Sequence, residues 1–220
     1  MKVRFLGGRT SIAVMGVLLA GCATTTPQSG PSFFVTSTGG GKGADFGGLA
    51  GADKHCQTLA AAVGLGDRTW QAYLSTQASA STPAVNAKDR IGTGPWRNAK
   101  GVVIATNVNE LHGDNNITKQ TALTEKGTVV TGRGEPGTQH DILTGTQPNG
   151  TAFTGADDKT CGNWTKSGEG SAIVGHSDRN GNSPPPDGPS WNSSHATKGC
   201  SDAALVSTGG AGYLYCFAVK

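Results

Sequence analysis

Charge is scarce in this 220-residue chain: Asp, Glu, Lys and Arg together make up 15% of it. The formal net charge of +3 belongs to Lys2, Arg4 and Arg9. With these set aside the 18 basic residues fall to 15, equal to the 15 acidic ones. A neutral body without basic runs argues against nucleic acid and heparin-like polyanions as partners. Long apolar runs are missing too. The apolar stretch at 11–20 is about half the length a helix needs to cross a bilayer. Short catalytic signatures are also lacking: there is no Gly-x-Ser-x-Gly, no His-Glu-x-x-His and no phosphate-cradling loop. The glycine run 39–43 lacks the Walker spacing and reads as a turn. His55, His112, His140, His176 and His195 form no His-x-x-x-His pair and join no Cys-x-x-Cys, so they read as solvated loop residues rather than zinc ligands. No internal repeat is present.

What the chain does have is glycine, at 35 residues, with abundant Thr, Ser and Asn, a composition that predicts short strands and many loops. A short apolar stretch behind a basic N-terminus reads as a secretory signal. It ends in Leu18-Leu19-Ala20-Gly21-Cys22, which resembles the lipobox of bacterial lipoproteins. The resemblance implies cleavage before Cys22 and acylation of that residue, and Ala23 in place of Asp points to the bacterial outer membrane. Several acyl chains on one residue anchor stably where a single chain does not. The expected organisation is a signal peptide over 1–21, an acylated Cys22 with a flexible tether over 22–32, and one domain over 33–220. These roughly 185 residues suffice for a single core.

Within the domain, strands are predicted at 33–37, 70–75, 102–105, 141–145 and 213–219. A helix is predicted over 51–63. Ala52, Cys56, Leu59 and Val63 form its inward face, Asp53 complements its dipole and Gly64 stops it. Residues 86–91 read as a short second helix, 107–139 as loops with one or two short strands, and 166–190, with Pro184, Pro185 and Pro186, as a surface excursion. Cys22 aside, four cysteines remain: Cys56, Cys161, Cys200 and Cys216. An even number in an exported chain reads as a disulfide framework with three possible pairings.

The order of these features resembles the C-type-lectin-like fold, an α+β arrangement of mixed antiparallel strands, one or two helices and long loops. Within it, the chain is most similar to the endostatin domain of basement-membrane collagens and related bacterial lipoproteins. The likeness is carried by Gly51-Ala52-Asp53 with Cys56, by 62–65 and 71–75, by 85–89 and Pro95-Trp96, by 144–150, by Cys161-Gly162-Asn163-Trp164, and by Gly199-Cys200 through Tyr215-Cys216. It implies the pairings Cys56–Cys216 and Cys161–Cys200. The endostatin zinc histidines have no counterpart here.

Gln147-Pro148-Asn149 stands where sugar-binding C-type lectins carry a calcium and sugar motif, and Trp191-Asn192-Ser193 stands where they carry Trp-Asn-Asp. Gln147, Asn149, Trp191 and Asn192 are therefore candidate ligand-binding residues, with Trp191 as a stacking face and Asp157 and Asp158 as candidate calcium ligands. Calcium prefers several oxygens with carboxylates among them, and the amide set alone is poor in them. The preferred reading of 147–150 is nevertheless a structural turn, with calcium-dependent sugar binding as the alternative. Trp70 is expected in the core, with Trp96 and Trp164 packed under loops. Taken together, the expectation is an outer-membrane-anchored lectin-like binding or adhesion module rather than an enzyme. Its expected ligand is a carbohydrate or a protein at the loop surface from Gln147 to Trp191, with no cofactor expected and calcium the one candidate for that place. The alternative is a protein-binding envelope lipoprotein without sugar or calcium dependence.

Overall fold

A computed structural model describes residues 1–3, 30–179 and 190–219. Residues 4–21 of the expected signal, Cys22 and the rest of the expected tether up to 29 lie outside the described residues, as do Pro184, Pro185 and Pro186. Among the described residues no helix is long and apolar enough to cross a membrane.

The fold is α+β and is organised around its last strand. Strand β8 (Gly210–Ala218) pairs antiparallel with β1 (Phe33–Val35) on one edge. On its other edge it pairs in parallel with β5 (Asp141–Leu143) and antiparallel with β2 (Trp70–Ala72). The sheet continues from β5 to β6 (Ile173–His176) and β7 (His195–Ala196), and a separate two-stranded ribbon joins β3 (Trp96–Arg97) to β4 (Val103–Ala105).

The sequence of β8 explains its central place. Successive side chains of a strand point to opposite faces, and Tyr213, Tyr215 and Phe217 alternate with Leu214, Cys216 and Ala218. The first three enter a core with Phe33, Val35, Tyr73, Trp96, Ile142 and Trp191. The second three enter another with Phe34, Trp70, Leu143, Val174 and the inner face of α1 (Leu49–Ala62). Apolar residues at every position thus follow from cover on both faces. Trp70, Trp96 and Trp164 are fully buried, as expected.

The helix α1 begins two residues earlier than predicted. It buries Ala52, Cys56 and Ala60, whereas Leu59 is half-buried and Val63 is exposed. Asp53 does not serve the helix dipole: its carboxylate accepts from the Ala72 N–H at 2.9 Å and pairs with Arg90, tying the helix to β2. Gly64, with φ of 79°, takes the left-handed conformation that ends the helix. Residues 86–91 supply a single 3-10 turn, Ala87–Asp89. The stretch 107–139 contains a short helix, Val108–Leu111, capped by the Asn107 side chain.

The predicted excursion over 166–190 needs correction. It contains β6, which is buried along its whole length and bonded on both edges. Glycines and prolines around it masked a strand of only four residues.

Among the described residues there are two disulfides, Cys56–Cys216 and Cys161–Cys200. The first spans 160 residues and joins α1 to β8; the second spans 39. Chain-entropy arithmetic assigns about 5 and about 4 kcal/mol to loops of these lengths. Replacing Cys56 and Cys216 together by Ser should therefore lower Tm in non-reducing thermal unfolding by roughly 10–20 °C.

Candidate functional site

Two polar constructions stand out from the sheet. The first is a loop platform. The exposed stretches 78–84, 154–157 and 165–170 have almost no regular structure, and a few side chains fix their ends. Gln77 Nε2 donates to the carbonyls of Gly155 (3.1 Å) and Asp157 (2.9 Å), and its Oε1 accepts from the Lys159 N–H at 2.8 Å. Asn163 Oδ1 accepts from the Gln77 N–H at 2.8 Å, and its Nδ2 returns a bond to the Gln77 carbonyl at 3.0 Å.

Asn163 belongs to an unusual element. Cys161, Gly162, Asn163 and Trp164 have φ of 48°, 62°, 57° and 67°, one turn of left-handed helix that costs about 1–2 kcal/mol per non-glycine residue. Its surroundings over-determine it. Cys161 is bridged to Cys200, Trp164 Nε1 donates to the buried Ser75 carbonyl at 2.8 Å, and the Trp164 carbonyl accepts from the N–H groups of Phe46 and Gly48 at 3.0 Å each. A shallow depression of about 230 Å³, lined among others by Gln77, Gly155, Asp158, Asn163 and Lys166, lies over this turn.

The residues expected to bind sugar and calcium have other partners. Trp191 is 3% exposed and packs against Tyr73 and Tyr215, so it offers no free face for stacking. Asn192 is 1% exposed. Its Nδ2 donates to Tyr73 Oη (3.0 Å) and to the carbonyls of Gln147 and Pro148, and its Oδ1 accepts from Ser190 Oγ at 2.9 Å. Asn192 thus fastens the 147–150 loop to the core. That loop closes as a turn: Gly150, with φ of 80°, donates its N–H to the Gln147 carbonyl at 2.9 Å. The Gln147 side chain is spent on Thr151 and Ala152, and Asn149 Oδ1 on Thr151.

Asp157 is exposed beside Lys159. Asp158 accepts from the N–H groups of Thr160 and Gly162 and meets Lys166 at 3.2 Å. Burial alone would raise the Asp158 pKa. The two N–H donors and the ammonium outweigh it and hold the carboxyl below its usual range.

A matched donor–acceptor chain runs behind this loop. Asn192 donates to Tyr73, Tyr73 Oη lies 2.7 Å from His112 Nε2, and His112 Nδ1 lies 2.8 Å from the Val108 carbonyl. With Nδ1 protonated toward the carbonyl, Nε2 is the acceptor for the phenol. Burial pushes the His112 pKa down, aided by Lys88 and opposed by the Val108 bond, and pushes the Tyr73 pKa up.

The second construction was not read from the sequence. His140 and His176 are 4% and 2% exposed, which corrects the expectation of solvated loop histidines. Asp141 on β5 stands opposite His176 on β6, and His195 on β7 stands opposite Val174. The antiparallel register puts Asp141, His176 and His195 on one face of the sheet. His140 enters from the start of β5. Its Nδ1 is 2.8 Å from Asp178 Oδ1, and Asp178 Oδ2 accepts from the Arg133 N–H at 2.7 Å. The His140 and His176 rings stack at 4.3 Å, and the His195 ring meets His176 edge-on at 5.0 Å. Burial and the neighbouring His140 lower the His176 pKa to about 4, although Asp141 pulls the other way. The cluster opens on a surface depression of about 600 Å³ flanked by Arg133, Thr138, Ser207 and Thr208. No sequence motif marks it, because its members come from three strands joined by long loops.

No protein-family model matches this chain, and no match is found among curated proteins.

Two outcomes follow. Gln77→Ala removes the side chain that joins three loop segments. It should cost about 1–3 kcal/mol in denaturant unfolding and speed amide exchange at 155–163. Because the fold lowers the His112 pKa, the unfolded chain takes up that proton first as pH falls below the ordinary value of 6.5. Stability held above pH 6.5 is then lost on acidification. His112→Gln should make that loss shallower in urea midpoints measured from pH 7 downward.

Proposed function

We propose that this chain is an outer-membrane-anchored lipoprotein whose C-type-lectin-like, endostatin-like domain binds a protein partner through its loop platform. The observation that carries the reading is the left-handed turn at 161–164. Backbone strain of this kind persists where surrounding structure enforces it, and it concentrates at sites that present groups to a ligand. Here a disulfide, a buried indole N–H bond and the Gln77–Asn163 pair hold the strained turn beneath exposed loops. Loops fixed in advance lose less entropy on binding than loops that must order, and function collects on such loops when a scaffold holds them.

The internal use of Asn192, Gln147 and Asn149, with Trp191 in the core, favours a protein partner over a calcium-dependent sugar. The lipobox-like run ending at Cys22 supports anchoring, and the neutral composition of the body favours recognition through shape and hydrogen bonds over charge steering.

The test pairs two assays on the full chain in detergent. In the first, partners captured from envelope and extracellular-matrix extracts are compared between the native chain and one in which 154–157 and 165–170 are replaced by Gly-Ser repeats. Capture that depends on these loops is expected. In the second, a glycan array is run with and without chelator, and no chelator-sensitive signal is expected. Chelator-sensitive glycan binding, or capture indifferent to the loop exchange, would overturn the proposal.

A further inference from the structure

We infer that His140, Asp141, His176 and His195 form a binding site for a divalent transition cation of the zinc class. The inference stands on the geometry of the β5–β6–β7 face alone and does not depend on what the loop platform binds.

Several buried polar atoms on this face lack partners among the described residues. Both Asp141 carboxylate oxygens and both His176 ring nitrogens are buried and, among the described residues, make no hydrogen bond. A buried carboxylate without donors is costly, and such groups in a folded protein need an explanation, an ion site among them. His140 sharpens the point. Its Nδ1 points at Asp178, so in the neutral ring Nδ1 is the donor and Nε2 the lone pair. That lone pair faces Asp141 Oδ1 at 3.2 Å. Two acceptors facing one another need something positive between them. His176 Nε2 faces the same Asp141 oxygen at 3.3 Å, and His195 Nε2 stands 3.5 Å from Asp141 Oδ2. A single added proton would satisfy one of these approaches, whereas a cation between His140 Nε2, His176 Nε2 and Asp141 satisfies three residues at once, with His195 beside Asp141 Oδ2.

The distances choose the class of ion. In a tetrahedral zinc site with bonds of about 2.0–2.2 Å, ligand atoms are about 3.3–3.6 Å apart. The approaches of His140 and His176 to Asp141 Oδ1, at 3.2 and 3.3 Å, are close to that spacing, and His195 stands 3.5 Å from Oδ2. The potential ligand atoms of His140, Asp141 and His176 all lie within 4.8 Å of one another. Imidazoles with one carboxylate suit zinc and its transition-metal neighbours, while calcium and magnesium prefer all-oxygen shells. Asp178 supplies the outer support such sites use: it accepts from His140 Nδ1, fixing the tautomer and ring orientation. His195, with 28% of its side chain exposed, stands on the solvent side within reach of Asp141, and the open depression lets an ion reach the site.

The test uses the full chain, purified in detergent without a histidine tag and stripped with chelator. Zn²⁺ binding is measured by calorimetry and by competition with a chromogenic chelator, and Co²⁺ is added as a spectroscopic probe. One equivalent of Zn²⁺ should bind in the presence of millimolar Ca²⁺, with a rise in Tm. Co²⁺ should give the visible bands of a four-coordinate ion. Asp178→Asn should weaken Zn²⁺ binding by about 10–100-fold through loss of outer support. His195→Ala should weaken it and change the Co²⁺ spectrum, and His176→Gln should abolish stoichiometric binding. If His176→Gln or another buried variant fails to fold, the two milder variants decide. Absence of stoichiometric Zn²⁺ binding by the folded native chain, displacement of Zn²⁺ by Ca²⁺, or unchanged affinity in folded His195→Ala and Asp178→Asn would each overturn the inference.

Discussion

Strand β8 is the member on which the rest of the structure hangs, and the Cys56–Cys216 bridge fixes it to the helix beside it. It is bonded along both edges and covered on both faces. Its alternation of Tyr213, Tyr215 and Phe217 with Leu214, Cys216 and Ala218 divides the interior into two cores. Because β1 and β2 both pair with its last residues, the first and last parts of the described domain lie side by side; the Ala218 N–H even donates to the Ser32 carbonyl at 2.9 Å. Both the loop platform and the His–Asp cluster are fastened to this assembly, the first through Ser75 and Trp164 after β2, the second through β5.

With little charge available, amides and hydroxyls hold the irregular half of the molecule. Gln77, Asn163 and Asn192 each reach across dozens of residues to backbone groups. Such bonds are modest singly but expensive to leave unmade once buried, which gives long loops a single conformation without regular structure. The β5–β6–β7 face is where this economy of charge breaks down. There Asp141 and Asp178 sit with three imidazoles in a small polar nest at the sheet edge. A polar network half satisfied within a protein is less favourable than an apolar filling, so its presence in an otherwise weakly charged chain argues that it has a use.

Much of the scaffold was legible in the sequence, because it rests on local patterns. The helix showed as apolar positions at helical spacing ending at Gly64, β8 as an unbroken apolar run, and β1 as Phe33-Phe34-Val35. The two disulfides follow the pairing implied by resemblance to endostatin-like domains; spacing alone left three pairings open. What stayed hidden was long-range. β6 is only four residues among glycines and prolines, so its period could not be seen. Trp191 read as a loop residue because its neighbours are Asn and Ser, yet Tyr73 and Tyr215 enclose it. The histidines looked scattered because strand pairing, not proximity in the chain, brings His140, His176 and His195 together. A weak signal existed: Asp141 opens a predicted strand and His140 immediately precedes it.

The central claim is that the beginning and end of the domain are covalently joined through α1 and β8, with the second bridge enclosing the strained turn. Peptide mass mapping of the non-reduced protein tests this most directly. It should recover one linked pair containing Cys56 and Cys216 and another containing Cys161 and Cys200. A peptide joining Cys56 to Cys161 or to Cys200 would contradict the sheet order, the loop platform built on it and the function proposed for that platform.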